Sequence, residues 1–167
     1  LFTMPEDSCL RVLGPNDLPD ESTLSKNADF WRSALPFSNL NTIITNPPVS
    51  RVPPEKYFGI EDTNQWCYFF EKADLARQNQ DWKSVIYFYK SAQDLDLSPY
   101  KIAEYVPFLE AFIRTGDIEA ALHLIDKMNA KFPNTNEYLC DLFYRLQNQS
   151  NLNADEQATL RSLQSLQ

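Results

Sequence analysis

The sequence has few of the residue types on which many enzymes depend. It contains 3 glycines and 1 histidine in 167 residues. So few glycines leave little room for the glycine-rich loops that hold nucleotide phosphates. The single histidine, His123, lies beside Leu122 and Leu124 in an amphipathic pattern with no nearby nucleophile, so we interpret it as a partly exposed helix residue rather than a catalytic base. We predict a protein that is not an enzyme, with no catalytic residues and no cofactor.

Cysteine is also scarce, with 3 residues in the chain. Cys9, Cys67 and Cys140 show no C-x-x-C spacing, which argues against a zinc site, and we predict no bound metal. Cys140 lies beside Leu139 on an apolar helical pattern and is predicted to be a buried core thiol. For Cys9 and Cys67 two interpretations remain open at this point, buried thiols or a disulfide.

Positive charge and long apolar runs are missing as well. The formal net charge is −8, so a polyanion would be repelled, and we predict no nucleic-acid binding. No run of 18 apolar residues occurs, so this chain itself is not expected to span a membrane. The first residue is Leu1 rather than Met, and we interpret the chain as a fragment or a processed product.

Proline divides the chain in two. Of the 11 prolines, 8 fall within the first 60 residues: Pro5, Pro15, Pro19, Pro36, Pro47, Pro48, Pro53 and Pro54. Because proline removes a backbone donor and disfavours helix, residues 1–61 are predicted to form a mostly irregular arm. Two exceptions are a short strand over Cys9–Leu13 and a helix over residues 20–34 that buries Leu24, Trp31 and Leu35. The arm is rich in apolar and aromatic side chains, so we expect it to pack on the rest of the chain.

Residues 62–167 show helical periodicity instead. Trp66, Phe69, Phe70, Ala73 and Ala76, for example, follow the spacing of one helix face. Later stripes of the same kind are separated by possible N-caps at positions 81, 117 and 153, each 36 residues from the next. The sequence therefore predicts an all-α domain of about three stacked antiparallel helical hairpins.

Two positions give further detail on where helices begin. Asn153 with Glu156 resembles a capping box, which marks the start of the last helix. Pro107 falls inside the third stripe, which predicts either a kinked helix or a helix that restarts at that point.

One part of the pattern resembles the tetratricopeptide repeat. Gly116-Asp117-Ile118-Glu119-Ala120-Ala121 together with Pro133 is similar to the turn and second helix of that family, and Gln80-Asp81-Trp82 with Ala92 matches less closely. The resemblance covers roughly residues 64–133. Ala73 takes the small position of the family's first helix, where the helices of a hairpin cross closely. Leu109 replaces the corresponding small residue of the next hairpin, which is therefore expected to open more.

The resemblance implies a binding groove. In such a stack the first helix of each hairpin lines a concave surface, which suits an extended peptide or a partner helix. The repeat register places six exposed partner-binding residues there: Phe70, Asp74, Arg77, Glu110, Ile113 and Arg114. The alternative interpretation is a solvated helix face whose charge pairs contribute only tenths of a kcal/mol. Nothing in the sequence singles out Glu71, Asp74 or Glu110 as a carboxylate pair for glycoside hydrolysis.

A second resemblance concerns residues 66–77 with Asp81-Trp82, and residues 9–13. They look like parts of the C-terminal soluble domain of uncharacterised multi-spanning bacterial membrane proteins. This resemblance implies an extracytoplasmic location, and a structural role in which the domain packs on the membrane-embedded remainder of a protein of carbohydrate or envelope metabolism. An oxidising compartment of that kind permits a disulfide. We therefore predict that Cys9 and Cys67 are bridged and tie the arm to the helices.

Overall fold

The computed structural model describes residues 2–4, 7–14, 33–42, 53–133, 135–148 and 152–165. Its α-helices are α1 (Glu55–Phe58), α2 (Trp66–Gln78), α3 (Trp82–Asp94), α4 (Val106–Thr115), α5 (Ile118–Lys131), α6 (Thr135–Asn148) and α7 (Ala154–Ser165). Two short strands, β1 (Phe2–Thr3) and β2 (Arg11–Val12), pair in antiparallel orientation. The predicted all-α class is confirmed in these ranges. Of the helix predicted over 20–34, residues 20–32 lie outside the described part of the chain.

The three predicted N-caps are confirmed. The Asp81 carboxylate accepts the backbone N–H of Ser84 at 3.1 Å, and the Asp117 carboxylate accepts that of Ala120 at 3.0 Å. At the last helix, Asn153 accepts the N–H of Glu156 at 3.0 Å, and the Glu156 carboxylate accepts the N–H of Asn153 at 2.8 Å. This reciprocal capping box satisfies donors that the helix cannot satisfy internally.

The third helical stripe begins later than its first apolar residues suggest. A 3-10 turn over Ile102–Tyr105 comes first, and α4 then begins at Val106 with Pro107 in its first turn. Proline is tolerated there because the first N–H groups of a helix have no partner within the helix. Of the two predicted outcomes, the structure therefore shows the restart. Gly116 ends α4 in the left-handed region with φ +74, where glycine carries no steric penalty.

Helices α2 to α5 pack in chain order. α2 packs most extensively on α3, and α4 contacts α3, α5 and α2. Ala73 and Leu109 are both fully buried. The α2–α3 contact is more extensive than that of α4 with α5, in line with a small residue in the first hairpin and a large one in the second.

The last two helices are arranged differently. α7, rather than α6, is the principal further neighbour of α4, and α7 also contacts α5 and α6. The helices that lie side by side along one face are therefore α2, α4 and α7.

The apolar side of α6 is made by its buried leucines and phenylalanine: Leu139, Leu142, Phe143 and Leu146. Cys140 is a free, exposed cysteine, so its predicted burial is wrong. It follows Leu139 by one residue, which turns it about 100° around the helix, away from the buried stripe. Its apolar neighbour in the sequence was a poor guide because adjacent helical residues do not share a face.

Part of the described arm packs on the helices, whereas residues 53–57 and 59–61 are exposed. Cys9, Arg11 and Leu13 are buried whereas Leu10 is exposed, which is the two-residue alternation of a half-buried strand. Cys9 belongs to the main apolar core, and Leu35 is also buried. The predicted strand over Cys9–Leu13 is thus realised in its centre, where Arg11 pairs with Thr3.

Candidate functional site

The most distinctive surface of the molecule is one side of α2, where an extended segment of the arm is bound. Cys67, Glu71, Asp74 and Gln78 recur every three or four residues and so form one stripe, which we call the α2 face. The residues 9–13 run along it and are called the docked segment. A disulfide joins Cys9 to Cys67, with 5.1 Å between their Cα atoms. The docked segment thus has a covalent attachment at one end of the α2 face.

Side chains of the helices bind the main chain of the docked segment. The Glu71 carboxylate accepts the N–H of Leu10 at 3.3 Å. The Gln78 amide donates to the carbonyl of Val12 at 2.7 Å and to Asp74 at 3.3 Å. Because these bonds involve peptide groups rather than side chains of the arm, they require an extended backbone but no particular sequence.

The environment of Glu71 shows that docking has an electrostatic cost. Burial raises the pKa of the Glu71 carboxyl above its usual range, while the hydrogen bond from Leu10 acts in the opposite direction. Glu71 remains exposed to solvent, so the carboxylate is only partly desolvated beside the arm, and its single backbone donor does not fully compensate for this.

Glu104 ties the arm to the helices at a second point. Its carboxylate is buried and accepts four N–H groups: Cys9 N at 3.0 Å, the Trp66 indole at 2.7 Å, Tyr100 N at 2.7 Å and Lys101 N at 3.4 Å. Burial, and to a lesser extent the charge of Glu104, raises the pKa of Tyr105. Such a set of donors stabilises a buried carboxylate because each replaces a hydrogen bond to water.

A ladder of alternating charges connects the three helices of the same layer. Asp74 and Arg77 of α2 are 2.8 Å apart, and Arg77 reaches Glu110 of α4 at 3.6 Å. Arg114 contacts Glu110 at 3.4 Å and Glu156 of α7 at 3.3 Å. The Arg114 guanidinium also lies 5.4 Å from the centre of the Trp82 ring. We call these five ionised residues the charge ladder.

The predicted exposure of the six partner-binding residues is wrong. Phe70 and Ile113 are 0% exposed and belong to the core. Asp74, Glu110 and the side chain of Arg114 are also buried, and the Arg77 side chain is 13% exposed. The four charged members are brought together in the charge ladder, with Glu156 as a fifth. The prediction grouped these four charged residues, but it carried no information about what α7 contributes there.

Three residues of the site were not predicted from the sequence. Gln78 and Glu104 were overlooked, and Glu156 was recognised as a capping residue but not as a partner of Arg114. The available signal was acidity inside an apolar run, since both Glu104 and Glu110 interrupt the otherwise apolar stretch from Ile102 to Ile113. An acid in such a run is buried more often with partners than without them.

Within the described ranges, no group of three or more His, Cys, Asp or Glu side chains is arranged to hold a metal ion. In the same ranges no helix has the length and apolar character needed to cross a membrane.

His123 is exposed on α5, as its sequence context predicted. Of the acids considered for glycoside hydrolysis, Asp74 and Glu110 are both paired with arginine.

Comparisons with models of protein families, with curated proteins and with solved structures found no match to this chain.

Proposed function

We propose that the chain is a non-enzymatic protein-interaction module built of tetratricopeptide-like helical hairpins, and that its α2 face receives an extended chain segment. The observation that supports this most directly is the docked segment itself. Glu71, Gln78 and Glu104 hold three peptide groups of an extended strand through side chains of the helical body. In this structure the arm of the same chain occupies the face, so binding of another protein requires exchange with the arm.

The regular caps at a spacing of 36 residues and the chain-order packing of α2 to α5 support the tetratricopeptide-like part of the proposal. The charge ladder has a structural role in it: it holds α2, α4 and α7 side by side and so keeps the α2 face rigid. The partner-binding surface proposed here is thus shifted from the six predicted residues to the neighbouring stripe.

Affinity capture from a bacterial membrane extract tests the proposal. The first bait carries Leu10→Pro, which removes the N–H donor to Glu71 and weakens docking of the arm. The second bait carries in addition Glu71→Ala and Gln78→Ala. We expect a protein recovered by the first bait to be lost with the second, with both baits equally helical by circular dichroism. Equal recovery would show that the α2 face is not the binding surface.

A second candidate function is favoured by the outer surface of the arm. Six of the ten large apolar residues exposed in the described ranges belong to it: Phe2, Met4, Leu10, Phe37, Tyr57 and Ile60. Residues 2 and 4 lie on one side of β1, and the pairing of Thr3 with Arg11 places Leu10 beside them. Such a patch suits a structural domain whose arm docks onto the membrane-embedded remainder of a larger extracytoplasmic-facing protein.

The same capture experiment separates the two candidates. A bait with Phe2→Ser and Met4→Ser keeps the α2 face intact but removes two of the three neighbouring apolar side chains Phe2, Met4 and Leu10. If it loses the partner while the bait altered at Glu71 and Gln78 retains it, the structural role is supported and the α2 face is not needed for binding.

A further inference from the structure

The disulfide attaches the docked segment to the α2 face, the surface to which we assign binding. Cys9 is 1% exposed, whereas Cys67 is half-buried on the first turn of α2. The bridge joins residues 58 positions apart and fixes the start of the docked segment on the α2 face. We infer that this disulfide is a redox latch: its reduction releases the docked segment and opens the α2 face to an extended segment of another chain. The release stands on the contacts alone, and the opening to another chain rests on the proposed function.

The reaction is a thiol–disulfide exchange with a dithiol. A thiolate of the dithiol attacks the sulfur of Cys67, the more accessible of the two, and the Cys9 thiolate leaves and takes up a proton. The second thiol of the dithiol then attacks the mixed disulfide and releases Cys67. The protein disulfide is thereby reduced to two thiols, and the dithiol is oxidised to its own disulfide.

Two of the hydrogen bonds of the docked segment are open to water, whereas the bond from Cys9 N to Glu104 and the side chain of Leu13 are buried and must be given up on release. The bond from Leu10 to Glu71 is solvent-exposed and that from Gln78 to Val12 is half-buried, so water competes for both. The β1–β2 pair has strands of two residues, which cannot hold the arm in place by themselves. A cross-link over 58 residues, in contrast, shifts a docking equilibrium by roughly a hundredfold or more through loop entropy.

Arg11 adds a penalty that opposes docking. The residue is 9% exposed, and its Nε atom is buried with no hydrogen-bond acceptor among the described residues. A buried donor without an acceptor loses its bond to water, and undocking returns it to solvent.

Release uncovers a stripe with a defined chemistry. Glu71 and Glu104 become acceptors for peptide N–H groups, Gln78 becomes a donor for a peptide carbonyl, and Cys67 presents a free thiol at one end. The occupant that fits is an extended peptide with unprotected N–H groups, and a cysteine in it can form a new disulfide with Cys67.

The first measurement tests the latch in the 167-residue chain with Cys140→Ser, which removes the exposed thiol. Hydrogen exchange of the amides of residues 9–13 is measured before and after reduction by dithiothreitol. We expect exchange to become at least about tenfold faster upon reduction, with the amides of α3 unchanged. Unchanged exchange of residues 9–13 would overturn the latch. So would three titratable thiols in denatured wild-type protein kept free of reductant, because the bridge would then be absent.

The second measurement tests what the opened face binds. The 167-residue chain with Cys9→Ser and Cys140→Ser retains Cys67 as its one cysteine. It is incubated in a glutathione buffer with a peptide of residues 7–14. Mass spectrometry follows the mixed disulfide between the peptide and Cys67. A control peptide with Leu10→Pro lacks the donor to Glu71. We expect the native peptide to be captured at least about tenfold faster than the control. Equal rates, with faster exchange in the first measurement, would leave the latch standing and overturn peptide binding by the α2 face.

Discussion

The helical body and the docked segment are held in place by different kinds of interaction. The body is built around a continuous apolar core, and α3, α5 and α7 begin at side-chain caps that are local in sequence. The docked segment has one buried apolar side chain at each end, Cys9 and Leu13, and its contacts with the body are a disulfide and hydrogen bonds to residues more than 55 positions away. The body is therefore expected to fold without the docked segment, whereas the docked segment has no stable position without the body.

The same difference appears in how each region satisfies its buried polar groups. In the body, charges of opposite sign alternate along the charge ladder. At the junction with the arm, Glu104 is surrounded by neutral N–H donors instead. Neutral donors can exchange for water when the arm leaves, whereas an unpaired charge inside the body has no such replacement.

The largest expected effect is from breaking the charge ladder in the body. Arg114→Ala leaves the buried Glu110 without one of its arginines and the partly buried Glu156 without its ion-pair partner. We expect a loss of about 3–5 kcal/mol in the free energy of unfolding, measured by urea denaturation. The exposed pair of Arg145 with Asp141 supplies the control, since Arg145→Ala is expected to cost about 0.5 kcal/mol or less. A cost for Arg114→Ala as small as that of the control would show that the ladder is solvated.

Removing the acceptor at the junction is expected to cost somewhat less. Glu104→Ala leaves the N–H groups of Cys9, Trp66 and Tyr100 without their acceptor, and we expect a loss of about 3 kcal/mol in urea denaturation. Glu104→Gln keeps an acceptor oxygen and is the matched control, with a loss of about 1 kcal/mol. If both variants are as stable as wild type, the hub at Glu104 does not hold the arm to the body.

Much of the body could be predicted from the sequence because its signals are local. The caps at Asp81, Asp117 and Asn153 are each recognisable within four residues, and the apolar stripes gave the helices. The position of α7 beside α4 could not be predicted, since it depends on which faces meet after the helices have formed. For that reason the burial of Arg114 was not predicted, although Arg114 was grouped with Arg77 and Glu110.

Less of the arm could be predicted, because its contacts are with residues distant in the sequence. The short strand around Arg11 and the disulfide of Cys9 were predicted, but their partners Glu104 and Gln78 have no local relation to them. Hydrogen bonds between a carboxylate and peptide groups leave no complementary pattern in the sequence. The main-chain contacts that define the α2 face were therefore accessible through the structure alone.

A change in the core of the body tests its close packing. Ala73 on α2 is 0% exposed, and Ala73→Leu is expected to overpack the contact of α2 with α3 and to cost about 1–3 kcal/mol. Thermal denaturation is sufficient to detect this. Ala158→Leu on the exposed side of α7 adds the same side chain without a packed neighbour and is expected to change the stability by no more than about 0.5 kcal/mol. Equal melting temperatures for the two variants would mean that the α2–α3 contact can expand.

The smallest expected effect on stability comes from the charge of Glu71, beside the docked segment. Its folded-state pKa is raised, so the protonated carboxyl is favoured by folding; the associated stability is fully present below the unfolded-state value near 4.5 and is lost as the pH rises through the folded-state value. Glu71→Gln keeps an acceptor for the N–H of Leu10 and has no charge to desolvate. We expect the variant to be slightly more stable than wild type at pH 7 and equally stable at about pH 3.5, with the difference developing just above pH 4.5. Melting temperatures across this range measure it. A variant that is less stable than wild type at pH 7 would show that the negative charge of Glu71, rather than its acceptor oxygen, holds the docked segment on the α2 face.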